Sequence, residues 1–110
     1  MLERASVEVV VVRVYMLGGS SNVDTLLKRL HAWGKVRGVT VLRGIQGYGG
    51  STPVRPTTSL TEEEMPLVVE FYEEPERLEA ILGQLEPMPG VRHIIHWPAF
   101  ARAVVPSDGA

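Results

Sequence analysis

Residues 7–17 read Val-Glu-Val-Val-Val-Val-Arg-Val-Tyr-Met-Leu, and this run limits the possible folds more than any other part of the chain. It is too rich in β-branched residues to favour helix, so it is a first strand. Both of its faces are apolar. Val10, Val12, Val14 and Met16 share one; Val7, Val9, Val11 and Tyr15 share the other. A strand in a sheet covered on one side alternates apolar with polar residues. This one needs cover on both sides, from helices on each face or from another subunit. Only two helical stripes are present in the rest of the chain, which favours a subunit.

The first stripe follows at once. Gly18 to Asn22 reads as a turn, with Ser21 or Asn22 able to cap what comes next. Val23, Leu26, Leu27, Leu30 and Trp33 then recur at helical spacing. Gly34 and Gly38 are stop signals, placing the end between Trp33 and Arg37. Val39 to Ile45 is a second strand and Leu67 to Tyr72 a third, both short and β-branched. Glu74-Pro75-Glu76 opens the second helix, because proline is tolerated at the first helical position and acids suit the N-terminus. Leu78, Ile81, Leu82 and Leu85 form its stripe, and residues 86–90 break it. Val91 to Trp97 is the fourth strand, ended at an edge or bend by Pro98. Phe100 to Val105 continues as a short fifth strand or an arm on a neighbour, and residues 106–110 read as a frayed tail. The order β-α-β-β-α-β predicts an α+β, ferredoxin-like sandwich: one antiparallel sheet with two helices on one face.

Between the second and third strands stand residues 46–66. They are rich in glycine and proline, followed by Thr57, Thr58, Ser59, Thr61 and three glutamates, Glu62 to Glu64. Loops longer than about 12–15 residues without structure of their own are uncommon, and most are functional or disordered. This one is read as functional. The rest of the composition is plain. The chain has 110 residues, which suits one domain over 1–110, with 22% charged residues and a net charge of −2. That charge offers no global attraction to nucleic acid or an anionic membrane. There is no cysteine, which excludes disulfides and thiolate chemistry and fits a reducing cytoplasm. Residues 7–17 fall far short of the roughly 20 that a spanning helix needs, and no signal-peptide pattern is present.

The residues that carry chemistry cluster around the loop and the last turn. Gly44, Gly47, Gly49 and Gly50 allow close backbone approach, and successive N–H groups in such a turn can cradle an anion. The spacing is neither a P-loop nor a dinucleotide fingerprint. Arg43 and Arg55 bracket these glycines and Arg92 lies beside Gly90; a guanidinium suits bidentate phosphate contact. His93 and His96 are three apart on a strand, hence on opposite faces, and cannot share one ion within a subunit. Glu62 to Glu64 read as a solvated run. Trp33, Trp97 and Phe100 suit core or subunit contacts. No nucleophile with a nearby histidine–carboxylate pair is readable, which argues against an enzyme.

The run Gly38-Val39-Thr40-Val41-Leu42-Arg43-Gly44-Ile45, then Gly47-Tyr48-Gly49, then the long loop and Met65-Pro66-Leu67-Val68-Val69-Glu70, resembles the uncharacterised PII-like family. That bacterial and archaeal group lies in the superfamily of the nitrogen-regulatory signalling protein PII. The resemblance spans about Val7 to Val105. It implies a cytoplasmic homotrimer with sheets facing inward, which binds an adenine nucleotide (AMP, ADP or ATP) as a ligand at clefts between subunits. Carried onto this chain, the loop base is Gly47, Tyr48, Gly49 and Gly50, and the turn before strand four is Pro89, Gly90, Val91 and Arg92. With the arginine and glycine that end strand two, the expected ligand residues are Arg43, Gly44, Gly47, Tyr48, Gly49, Gly50, Gly90 and Arg92. The loop would engage a protein partner, such as a membrane transporter, with no nucleic acid involved. Two departures stand out. PII proteins follow the glycine run with a basic and an amide residue, where this chain has Gly50 and Ser51. Tyr48 sits at the loop base, so the modified tyrosine of PII loop tips has no counterpart. The rivals are a trimeric metal-binding protein of the same fold, with His93 and His96 meeting across subunits, and a small enzyme on that fold.

Overall fold

The computed structural model describes residues 6–17, 19–33, 36, 38–44, 46–47, 55–56 and 66–103. The elements are β1 (Val7–Met16), α1 (Gly19–Trp33), β2 (Thr40–Arg43), β3 (Gln46–Gly47), β4 (Arg55–Pro56), β5 (Leu67–Glu73), a 3-10 turn (Pro75–Arg77), α2 (Leu78–Leu85) and β6 (Val91–Ala101). Four strands form one antiparallel sheet in the order β2-β5-β1-β6. β1 and β5 are central, while β2 and β6 are the two edges. This is the ferredoxin-like arrangement that the element order predicts.

Both helices lie on one face. Val10, Val12, Val14 and Met16 of β1 pack with Leu67, Val69 and Phe71 of β5 beneath Val23, Leu26 and Leu30 of α1 and Ile81 and Leu85 of α2. Each fully buried leucine or isoleucine contributes about 1.5–3 kcal/mol of transfer free energy. Arg29 Nη1 donates to Gln84 Oε1 at 3.3 Å, tying the helices together at the surface. Glu73, at the end of β5, is buried among these apolar side chains. Its Oε1 accepts the Glu74 N–H at 2.8 Å, with Arg77 Nη1 at 3.8 Å, and its Oε2 has no hydrogen-bond partner among the described residues. The carboxylate thus holds the corner where β5 turns into α2.

The structure corrects several element boundaries. Helix α1 starts at Gly19, whose φ is +67°, and not after a Ser21 or Asn22 cap. Asn22 instead donates from Nδ2 to the Leu17 carbonyl at 3.1 Å, binding the helix back to the end of β1. The second helix opens with a 3-10 turn before α2 proper. Strand β2 is only Thr40–Arg43, and β6 does not stop at Pro98 but runs through it to Ala101. Proline is tolerated there because β6 is an edge strand, bonded on one side only to β1. No separate fifth strand follows within the described residues, and Val104 and Val105 lie outside them. The long segment is not wholly irregular either. Gln46 pairs with Pro56 and Gly47 with Arg55, a two-stranded ribbon at its base.

Candidate functional site

The face of the sheet turned away from the helices carries apolar, aromatic and charged side chains. Strand register sets its rows. Tyr15 lies between Val68 and His93; Arg13 between Glu70 and Ile95; Val11 between Tyr72 and Trp97. Leu42 and Thr40 extend the first two rows onto β2. Leu42 is 46% exposed, Ile95 41%, Tyr72 53% and Trp97 36%, a contiguous apolar patch of the kind that marks an interaction surface. The expected second apolar face of β1 is therefore present and uncovered by helices.

One charged pair sits in the middle of it. Arg13 Nε donates to Glu70 Oε1 at 2.9 Å, and Nη2 donates to the same oxygen. The Arg13 guanidinium carbon stands 5.4 Å from the centre of the Trp97 ring, within cation–π range. Hydrogen bonding to Glu70, and next to Tyr15, holds the guanidinium proton still more firmly than usual. Tyr15 and His93 stack, with ring centres 4.4 Å apart and planes 18° from parallel. His96 is on the other face, in the row of Val12, so the two histidines do not converge within one chain. Among the described residues, no cluster of three or more histidines and acids could hold a metal ion.

On this face, where β2, β5 and β1 lie side by side, opens a cleft of about 570 Å³. Its walls are residues 38–40, residues 70–72 and Val11. The volume is within the range of small-molecule sites. The lining combines apolar residues with Thr40 and Glu70. These residues were not among the sequence candidates. A signal existed: Arg13 and Glu70 are lone charges of opposite sign in two otherwise apolar strands.

The sequence candidates fall at one end of the sheet. Arg43 is exposed at the end of β2. Gly44 donates its N–H to the Pro66 carbonyl at 3.2 Å, and a Cβ there would stand 3.3 Å from Pro66 Cγ. Gly47 and Arg55 pair in the ribbon. Tyr48, Gly49 and Gly50 lie outside the described residues, as do Glu62 to Glu64. Arg92 is exposed at the other edge, the extra residue where the β1–β6 register shifts between Tyr15 and Met16. Gly90 has φ +84°, and its carbonyl accepts the Leu17 N–H at 2.9 Å. Its glycine is needed for folding whatever else it touches.

The row Arg43, Leu67, Met16, Val91 crosses the whole sheet. Arg43 and the start of β6 are therefore three strand spacings apart, about 14 Å. One chain alone does not bring Arg43 and Arg92 to a single phosphate.

Solved structures of similar shape place the fold. The chain superposes on CPII, a nitrogen regulatory PII-like protein from Thiomonas intermedia K12, in its structure with ADP, AMP and bicarbonate. The TM-score is 0.70 at 12% identity, over 91% of this chain and 93% of that one. A second CPII structure, with ADP and bicarbonate, gives 0.65 at 12% identity over 91% and 94%. A PII-like protein of Thermus thermophilus gives 0.60 at 20% identity over 90% and 92%. No curated protein matches in sequence. The family model for DUF190, described as uncharacterized ACR, matches residues 6–100, nearly the whole chain including both sheet edges, the cleft and the open face. The chain thus belongs to the DUF190 family and carries a PII-like fold.

Proposed function

We propose that the protein is a PII-like trimeric regulator, a binding protein and not an enzyme, that takes an adenine nucleotide at clefts between subunits. One observation carries this reading. The two arginines with phosphate-binding chemistry lie at the same end of the sheet but on opposite edges. A head-to-tail ring of copies joins the β2 edge of one subunit to the β6 edge of the next, and heterologous contacts of this kind close into rings. Arg43 of one copy then meets Arg92 of its neighbour. The open apolar faces of the three sheets turn inward, which covers the second face of β1.

Within that arrangement the cleft at residues 38–40 takes the base and ribose. Thr40 and Arg43 are three residues apart on β2, about 10 Å, and on opposite faces of this edge strand, so a ligand seated by its base at Thr40 crosses the sheet edge to bring its phosphates to the glycines after Arg43. The bound ADP and AMP of CPII, a protein of the same fold, support the choice of ligand. Nucleotide binding would set the state of the segment after Gly47, and that segment would engage or release a protein partner such as a membrane transporter. A cytoplasmic location fits this role. No helix among the described residues is long and apolar enough to cross a membrane.

Calorimetry with AMP, ADP and ATP tests the reading. A charge-assisted contact contributes about 1.5–3 kcal/mol, so Arg43→Ala and Arg92→Ala should each weaken binding by about tenfold to a hundredfold. Mixing the two variants should restore a share of full-affinity sites, because a ring containing both carries some clefts with neither substitution. Absence of binding by all three nucleotides up to millimolar concentration sinks the nucleotide assignment.

A further inference from the structure

We propose that Glu70 couples occupancy of the cleft to the centre of the open sheet face, through Arg13 and Trp97. The proposal rests on the nucleotide reading above and adds a path by which the bound ligand is felt outside its cleft.

Glu70 belongs to two structures at once. It lines the cleft, together with Thr40 and Tyr72, and its register with Thr40 and Arg13 puts its side chain on the open face. It is also the partner of Arg13 on the neighbouring strand, directly across in the register. Both Arg13 donors converge on Oε1, and none of the hydrogen bonds among the described residues uses Oε2. Arg13 in turn lies over Trp97 of β6, on the far side of β1. Three side chains on three adjacent strands thus run from the cleft to the middle of the patch.

A carboxylate only accepts hydrogen bonds. A ligand that brings donors into the cleft, a ribose hydroxyl or an exocyclic amine, therefore bonds to the unused Oε2, and turning the carboxylate toward the ligand draws Oε1 away from Arg13. With the cleft empty, Glu70 holds Arg13 in place beside the indole. With a donor-bearing ligand present, the carboxylate turns toward it and the guanidinium shifts on the Trp97 ring. The ligand bonds better to one arrangement than to the other, which is the requirement for shifting such an equilibrium. Linkage makes the effect reciprocal: weakening the hold of Arg13 on Glu70 must change ligand affinity.

Trp97 is the built-in reporter, and Trp33 is the only other tryptophan. In Trp33→Phe, ADP should change the emission of Trp97 with the same midpoint that calorimetry gives for binding. In Trp97→Phe, ADP should still bind by calorimetry, with little change in emission. Arg13→Met should abolish the Trp97 response and tighten ADP binding by about fivefold or more, the usual lower range of coupling. Glu70→Gln should abolish the response and weaken binding. Circular dichroism of each variant establishes that it is folded, and Arg13→Gln serves if Arg13→Met is not. ADP that binds by calorimetry while Trp97 stays silent overturns the coupling alone. A Trp97 response that persists in a folded Arg13 variant does the same. Failure of every nucleotide to bind overturns both the coupling and the reading it rests on.

Discussion

Gly90→Ala should lower the stability of the protein by about 3–4 kcal/mol, although the change adds one methyl group. Two costs combine. Gly90 has φ +84°, in the left-handed region that costs an L-residue about 1–2 kcal/mol. The added Cβ would also stand 2.3 Å from the Leu17 carbonyl oxygen and 2.5 Å from Asn22 Nδ2. The oxygen is backbone and cannot swing away, so the turn itself must move. Movement breaks the Leu17 N–H bond to the Gly90 carbonyl and the Asn22 bond to Leu17, which together join β1, α1 and β6. For a domain near 100 residues, each kcal/mol shifts the melting temperature by about 4 °C or somewhat more. Differential scanning calorimetry should show a drop of about 12–16 °C. Gly83→Ala is the matched control. It lies inside α2 with nothing within 4 Å of the added Cβ, so it should stabilise by about 0.5–1 kcal/mol. A Gly90→Ala variant that melts with the wild type would refute the account of this turn.

Ile95→Arg should convert the proposed trimer to monomers. Ile95 lies on the open face of β6, directly opposite Arg13 of β1 and 41% exposed in the single chain. In the isolated subunit an arginine there points into solvent, so the fold should survive. In the ring it would bury a second cation beside Arg13 in each of three subunits, and the one nearby carboxylate, Glu70, is already paired with Arg13. An uncompensated buried charge costs several kcal/mol, and three act at once. Light scattering should read about 36 kDa for the wild type, three copies of the 12.1 kDa chain, and one copy for the variant. Nucleotide binding should disappear with it, because Arg43 and Arg92 then have no neighbour to meet. A trimeric Ile95→Arg variant would show that the open face is not the subunit contact. A wild-type monomer at micromolar concentration would remove the ring and the shared cleft together.

Much of the fold was legible from local pattern. The β-branched run at Val7 and the leucine stripes of α1 and α2 each carry their period within a dozen residues, so each named its own element and its buried face. The second apolar face of β1 was legible for the same reason, since alternation is a property of neighbours in sequence. Turn chemistry was less informative. Asn22 looks like a helix cap but bonds back to Leu17, because Gly90 brings the end of β1 and the start of α1 into one clamp. Pro98 looks like a strand end but sits inside β6, because an edge strand can spare an N–H.

The site depended on pairings between distant parts of the chain. Arg13 and Glu70 are 57 residues apart and looked like unrelated charges until β1 and β5 were placed side by side. The cleft brings residues 38–40 against residues 70–72 and Val11, three segments with no shared motif. Arg43 and Arg92 read as partners from their chemistry, and the strand order separated them to opposite edges. Periodicity is set by the geometry of one strand or helix and is written residue by residue. Strand order is set by which arrangement buries the apolar faces of all the elements together, so only the folded chain decides which side chains share a surface.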